Sequence, residues 1–147
     1  MRAVLQRVKR GKVSVAGRTV AEISTGLVIL LGIGHGDTEE IARALAKKTA
    51  NLRIFEDKQG KMNLSVRDAG GQAIVVSQFT LYADTRKGRR PSFTDAALPD
   101  AARLLVDQFA YFLAEQGVPA QKGEFGANML VEIDNDGPVT ILLELPV

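Results

Sequence analysis

Four groups of residues in this chain are of types that do chemistry. The first surrounds the single histidine, His35, in Gly32-Ile33-Gly34-His35-Gly36-Asp37. The glycine spacing differs from the G-x-G-x-x-G of dinucleotide-binding turns, and the surrounding residues do not read as a βαβ unit. As a catalytic base, His35 would need a serine in a recognisable setting, and no Gly-x-Ser-x-Gly occurs. A turn histidine without catalytic work is therefore expected. The second group is Ser77-Gln78-Phe79-Thr80, where polar side chains interrupt an apolar strand. That is costly in a core unless each polar group is hydrogen-bonded or lies in a site. The third is Asn135-Asp136-Gly137-Pro138-Val139-Thr140. Taken alone, Asp136-Gly137 is a hairpin-turn signal and Pro138 suits the start of an edge strand, so a structural and a functional reading both stand. The fourth is the basic run Arg86, Lys87, Arg89 and Arg90, broken by Gly88 and closed by Pro91. Such a run is either a phosphate contact or a solvated turn.

The absence of cysteine removes thiolate nucleophiles, disulfides and the usual structural zinc sites. No spacing of His, Asp and Glu suits a metal either, so neither metal nor cofactor is expected. Residues 1 to 73 carry thirteen Lys/Arg against seven Asp/Glu, and residues 74 to 147 carry six against ten, giving +6 and −4. The fourth group is thus a basic loop on an acidic half. No apolar run has the shape of a secretion signal, and the longest falls far short of the ~20 residues of a membrane helix. A cytoplasmic location is expected.

The elements that must position these groups follow from periodicity. Residues 3–9, 12–15 and 19–23 read as short strands separated by Gly11 and by Ala16-Gly17. Residues 27–33 are apolar throughout, which suggests a strand buried on both faces. Asp37 followed by Glu40 is a capping-box signal for an amphipathic helix over about 38–51. Short extended pieces at 52–55 and 62–66 precede a strand at 72–77, which continues into Gln78-Phe79-Thr80-Leu81-Tyr82. Pro99 opens a second helix with Leu105, Phe109, Phe112 and Leu113 on one stripe, ended by Gly117. Strands at about 128–133 and 139–145 close the chain. The expectation is a single α+β domain over residues 1–147, mostly antiparallel and barrel-like, with two principal helices.

Taken together, two of the four groups are recognisable. The chain resembles the bacterial-type D-aminoacyl-tRNA deacylases, whose signature stretches stand here as Ser77-Gln78-Phe79-Thr80-Leu81 and Asn135-Asp136-Gly137-Pro138-Val139-Thr140. The resemblance extends over essentially the whole chain, through Arg7-Val8, Lys87-Gly88-Arg89-Arg90-Pro91-Ser92-Phe93 and Phe125-Gly126-Ala127-Asn128-Met129.

The resemblance implies hydrolysis of the ester joining a D-amino acid to the terminal ribose of tRNA. It implies a chirality filter at Gly137-Pro138, with a cis peptide bond, projecting its carbonyls into the site of a second subunit. The functional unit is then a homodimer acting on aminoacyl-tRNA, with neither membrane nor DNA as partner. Proline makes a cis bond accessible at ~0.5–1 kcal/mol over trans, and glycine permits close backbone approach. Ser77, Gln78, Phe79 and Thr80 are placed around the ester, with the Phe79 N–H stabilising the oxyanion. Thr80 invites a nucleophile reading, but its hydroxyl needs a nearby base and the single histidine lies in a distant segment. Attack by water, assisted by the substrate 2′-hydroxyl, is preferred, with Ser77 and Thr80 positioning. Arg86, Lys87, Arg89, Arg90 and the basic N-terminal strands are candidates for phosphate contacts, and Phe79 or Met129 for the terminal adenine. A filter that works by excluding side chains should also pass glycine. A non-catalytic RNA-binding module and a hydrolase that uses Thr80 covalently are the alternatives.

Overall fold

The computed structural model describes residues 1–147. Its backbone is organised by two long strands. Strand β1 (Arg2–Val15) runs unbroken through Gly11, where the sequence suggested a turn. A Cβ on Gly11 would lie 2.5 Å from Val28 Cγ2, so this glycine lets β1 cross tightly over its neighbour. The first half of β1 pairs antiparallel with β3 (Gly26–Gly32), and the second half with β2 (Arg18–Ile23). The remaining edge of β1 pairs with a single strand, Leu130–Glu144, along its whole length.

This last strand, β8, was expected as two strands joined at Asp136-Gly137. Both flanks find the same antiparallel partner, so the chain does not reverse. Gln6 stands opposite Thr140 and Val8 opposite Asn135, which leaves Asp136 to Val139 bulging out opposite Arg7 alone. Pro138 has no N–H to offer a ladder, and an extra-residue bulge is the form such a strand takes.

The other half of the sheet is parallel. Strand β6 (Gln72–Ser77) lies beside β3, and β7 (Ala120–Lys122), not foreseen from sequence, lies beside β6. Helices α1 (Glu39–Asn51) and α2 (Pro99–Glu115) lie in the two connections that parallel pairing requires, so the His35 turn does sit in a βαβ unit, β3–α1–β6, which the residues around it do not announce. A two-stranded ribbon of β4 (Phe55–Glu56) and β5 (Met62–Leu64) lies within the first. The Gln121 side chain accepts from Glu22 N at 3.0 Å and donates to Glu22 O at 2.8 Å. It imitates a ladder pair between β7 and β2, and the mixed sheet nearly closes into a barrel.

Two cores result. Val8, Val13, Ala21, Ile23, Val28, Ile74 and Val76 fill the barrel. Leu5, Leu27, Ile29, Leu31 and Val75 face outward onto Leu45, Leu105, Phe109 and Leu113 of the helices. Strand β3 is therefore buried on both faces, as its unbroken apolar run suggested. The cap of α1 is displaced by one residue from expectation. Thr38 Oγ1 accepts from Ile41 N, whereas the Asp37 carboxylate takes the Met1 ammonium and Gly34 N, each at 2.7 Å. The Met1 side chain is buried, and a paired carboxylate satisfies the adjacent ammonium better than a helix end would.

Candidate active site

Strand β6 ends at Ser77, and Gln78 N makes a last rung to Leu31 O at 2.8 Å. The chain then leaves the sheet. Phe79–Tyr82, expected as extended, forms a 3-10 turn in which Leu81 N bonds Gln78 O and Ala83 N bonds Thr80 O. Such a turn uses N–H groups from its third residue onward, so those of Phe79 and Thr80 at its start are not spent on it. The glycines near His35 explain why the turn packs there. A Cβ on Gly34 would lie 2.7 Å from Tyr82 ring atoms, and one on Gly32 would lie 3.0 Å from Leu81 Cβ and 3.1 Å from Gln78 O. They are spacers that let the turn lie against the end of β3, not a nucleotide loop.

From the far side, Arg2 stacks over the Tyr82 ring at 4.5 Å, donates to Leu81 O at 2.9 Å and pairs with Glu144. Burial, with the charge of Asp37 nearby, pushes the Tyr82 hydroxyl up to about 12, so it stays protonated and cannot act as a base near neutrality. His35 is occupied elsewhere. Its Nε2 bonds Thr94 O at 2.9 Å, its N–H bonds Asp95 O, and Ala97 N bonds Ile33 O. The segment from Gly32 to Asp37 thus supports both the turn and the 93–98 segment.

Between that segment, the turn and residues 125–129 lies a cavity of about 650 Å³ with no charged residue in its lining. Ser77, Gln78, Phe79 and Met129 all line it, together with Phe93, Leu98 and Phe125. Phe79 is 55% exposed, with its ring edge-on to Phe93 at 5.0 Å. Thr80 stands outside the lining and accepts from Gln78 Nε2 at 2.5 Å. No basic group bonds its hydroxyl. Three of the four signature residues are brought together at the cavity, and the fourth is tied to them.

Gly137 and Pro138 do not line this cavity. They stand exposed on the β8 bulge, joined by a cis peptide bond, with Gly137 at φ +136°. Beneath them lies Arg7, whose guanidinium is buried. Its Nε donates to Asp136 O at 3.0 Å and its Nη1 to Ile54 O at 2.7 Å, with the Asp136 carboxylate 3.6 Å away.

The basic loop is pinched shut by Asp84 and Ser92, whose N–H groups and carbonyls bond each other at 2.7 and 2.9 Å. Arg86, one of the candidate phosphate contacts, already has a partner, because its Nε and Nη2 both bond the Asp84 carboxylate. Those hydrogen bonds hold Asp84 at about 2, below its ordinary 3.8. The folded pKa is depressed, so whatever the pair contributes is complete above the ordinary value and is lost only as pH falls through about 2. Lys87, Arg89 and Arg90 are exposed and form no ion pair.

Residues 4–144 match the model of the family described as D-Tyr-tRNA(Tyr) deacylase. The chain belongs to this family. The D-aminoacyl-tRNA deacylase of Carboxydothermus hydrogenoformans is 59% identical over 145 residues, covering 99% of this chain and 100% of that one. That of Roseiflexus sp. strain RS-1 is 61% identical over 144 residues, covering 98% and 93%. Among solved structures, the c-Myc DNA Unwinding Element Binding Protein superposes with a TM-score of 0.94 at 41% identity, each chain covered in full. Membership makes this chain one of a family of hydrolases that act on aminoacyl-tRNA.

At the cavity, Phe93 and Phe125 lie within stretches that carry the resemblance, but nothing in those stretches marks them as cavity residues, and Leu98 lies outside every such stretch. Phe93 and Leu98 reach the cavity from one segment and Phe125 from another far away in sequence. Arg7 could have been found. Ala3, Leu5 and Arg7 alternate onto one face of β1, and an arginine in the register of two fully buried residues asks for a buried partner.

Proposed function

We propose that the protein hydrolyses the ester between a D-amino acid and the 3′-terminal ribose of tRNA, clearing D-aminoacyl-tRNA in the cytoplasm as translation quality control. The observation that carries this reading is the start of the 3-10 turn. It leaves the Phe79 N–H unspent beside a neutral cavity large enough for a nucleoside and its acyl group. A tetrahedral intermediate with its oxygen at that N–H gains a donor already oriented when the charge appears. The cavity has no charged residue in its lining, which suits a nucleobase stacked among Phe79, Phe125 and Met129 better than a phosphate.

Water is the nucleophile in this reading, with the substrate 2′-hydroxyl assisting. Thr80 has only the Gln78 carboxamide on its hydroxyl, and an amide cannot take its proton. Ser77 and Thr80 position the ester and the Gln78 side chain. Thr80→Ala should therefore keep kcat within about tenfold of wild type, the loss of one positioning hydrogen bond. A much larger loss in a correctly folded protein, or an acyl-enzyme trapped by acid quench, would favour covalent catalysis by Thr80.

A second copy of the chain completes the site by presenting its Gly137-Pro138 over the ester. Support comes from β8, a long strand hydrogen-bonded on one edge only, with Pro138, Leu130 and Leu142 exposed along it. Natural proteins rarely leave such an edge uncovered. Carbonyls there would reject an L side chain by collision and leave D-amino acids and glycine room, so mischarged glycyl-tRNA is also a substrate.

The unpaired Lys87, Arg89 and Arg90 take phosphates of the acceptor arm, while Arg86 shapes their loop. Replacing all three with alanine should weaken tRNA binding and reduce the slope of log affinity against log salt by about two to three. An unchanged slope would move the contact elsewhere. The activity itself is tested by incubating the protein with D-aminoacyl-tRNA. Free D-amino acid and intact tRNA are expected, whereas a binding module would leave the ester uncleaved.

A further inference from the structure

The bulge that carries Gly137 and Pro138 is held from both faces of β1, and only one of the two holds is charged. Arg7 grips it from the core side through Asp136 O. Gln6, the preceding residue, points to the opposite face and meets the two ends of the bulge. The direction of each hydrogen bond there can be worked out. Val139 N donates to Asn135 Oδ1 at 2.8 Å, which turns the Asn135 nitrogen toward β1. That Nδ2 donates to Gln6 Oε1 at 2.5 Å and to Thr140 Oγ1 at 3.1 Å. The Thr140 hydroxyl, accepting from Asn135, gives its one proton to the same Gln6 Oε1 at 2.5 Å. A single side-chain oxygen therefore ties residue 135 to residue 140, the two ends from which the bulge springs. The Gln6 Nε2 has no protein partner.

We propose that Gln6 is a positioning residue for chiral selection. Its side-chain oxygen latches the neck of the β8 bulge, and the D-over-L preference depends on that latch. The inference rests on the reading of Gly137-Pro138 as the filter. Positions matter here because a wall made of main-chain carbonyls excludes a methyl group only if it cannot retreat by a few tenths of an ångström. Arg7 fixes one carbonyl at the start of the bulge and makes no hydrogen bond to its return through Val139 and Thr140.

The role is that of an acceptor, and this separates it from packing. Gln6→Glu keeps an acceptor oxygen of the same reach and replaces the unpartnered amide nitrogen by a second oxygen, whereas Gln6→Met keeps the volume and removes the acceptor. Hydrogen exchange at residues 135–140 reads the latch directly. The ratio of kcat/KM for a D- and an L-aminoacyl-tRNA reads its consequence. In Gln6→Met the Val139 amide should lose protection, and the D-to-L ratio should fall on the order of tenfold, the size expected for one or two lost hydrogen bonds. Gln6→Glu should restore both, and Thr140→Val should change them in the same direction as Gln6→Met. Far-ultraviolet circular dichroism and the unfolding midpoint, measured beside these, establish that each variant is folded.

Unchanged protection in Gln6→Met, or failure of Gln6→Glu to restore it, overturns the latch. Lost protection with an unchanged ratio also overturns the proposal, and Gly137→Ala then tells which premise failed. If Gly137→Ala lowers the ratio, the filter stands and Gln6 does not set it. If it does not, the filter reading itself is wrong.

Discussion

Replacing Phe79 by proline should lower kcat by about 10²–10³, the usual cost of deleting one oxyanion donor, while the protein folds and binds tRNA. The substitution removes an N–H and little else from the backbone. Residue 79 opens the 3-10 turn, a conformation whose usual φ of about −50 to −70° includes the −65° that proline imposes, and its N–H is not used by the turn. Gln78 before it sits at φ −141° and ψ 80°, outside the helical region that a following proline disfavours. The Phe79 ring is lost as well, so Phe79→Ala is the necessary companion. Alanine keeps the N–H and should raise KM more than it lowers kcat, since in the proposed reading the ring serves binding and the donor serves the transition state. Equal kcat in the two variants would show that the donor is not Phe79 N–H.

Gly137→Ala should cost on the order of 100-fold in D-to-L discrimination, as expected when an active-site wall moves by about an ångström. Two observations combine. Gly137 has φ +136°, where an L side chain is strained, and its Cβ would lie 2.7 Å from Val139 Cγ2 and 3.0 Å from Val139 N. Val139 is itself held by Asn135, so the bulge must shift as a unit. Sequence reasoning alone would let alanine in without disturbing the fold. The structure instead makes the substitution locally disruptive, at about 1–3 kcal/mol. The β1–β8 ladders on either side should confine the damage, and a thermal melt should show a cooperative transition at reduced temperature. A variant with wild-type rates on both esters would remove Gly137 from the selective wall.

The elements legible in the sequence are those where one periodic signal dominates. Strand β3 announces burial on both faces, and Pro99 and Gly117 bracket α2. The misreadings share a cause. Gly11 and Asp136-Gly137 carry genuine local turn chemistry, but each lies within a long strand whose flanks find a partner far away in sequence, and tertiary pairing overrides the local preference. Phe79–Tyr82 reads as extended because nothing local reveals that Gly32 and Gly34 have cleared a surface for it to turn upon. Three of the four signature residues fall at the cavity, but Phe93 and Phe125 join them there from separate loops, and the second copy proposed to bring Gly137-Pro138 over it leaves no local signal in one sequence. The basic run does not reveal which of its cations is already paired, because the partner of Arg86, Asp84, lies just outside it.

Selection of the substrate by main chain, rather than by recognition of its side chain, is what the proposed filter requires, and one set of single-turnover measurements decides it. The same tRNA is charged in turn with D-alanine, glycine and L-alanine, and release of each is followed at equal enzyme. A wall that only excludes has nothing to reject in glycine, which carries hydrogen at both positions on Cα. D-Alanine and glycine should therefore be released at comparable rates, with L-alanine resistant at enzyme levels that clear both. Glycine as resistant as L-alanine would mean that the D side chain is recognised positively, and would contradict the steric account.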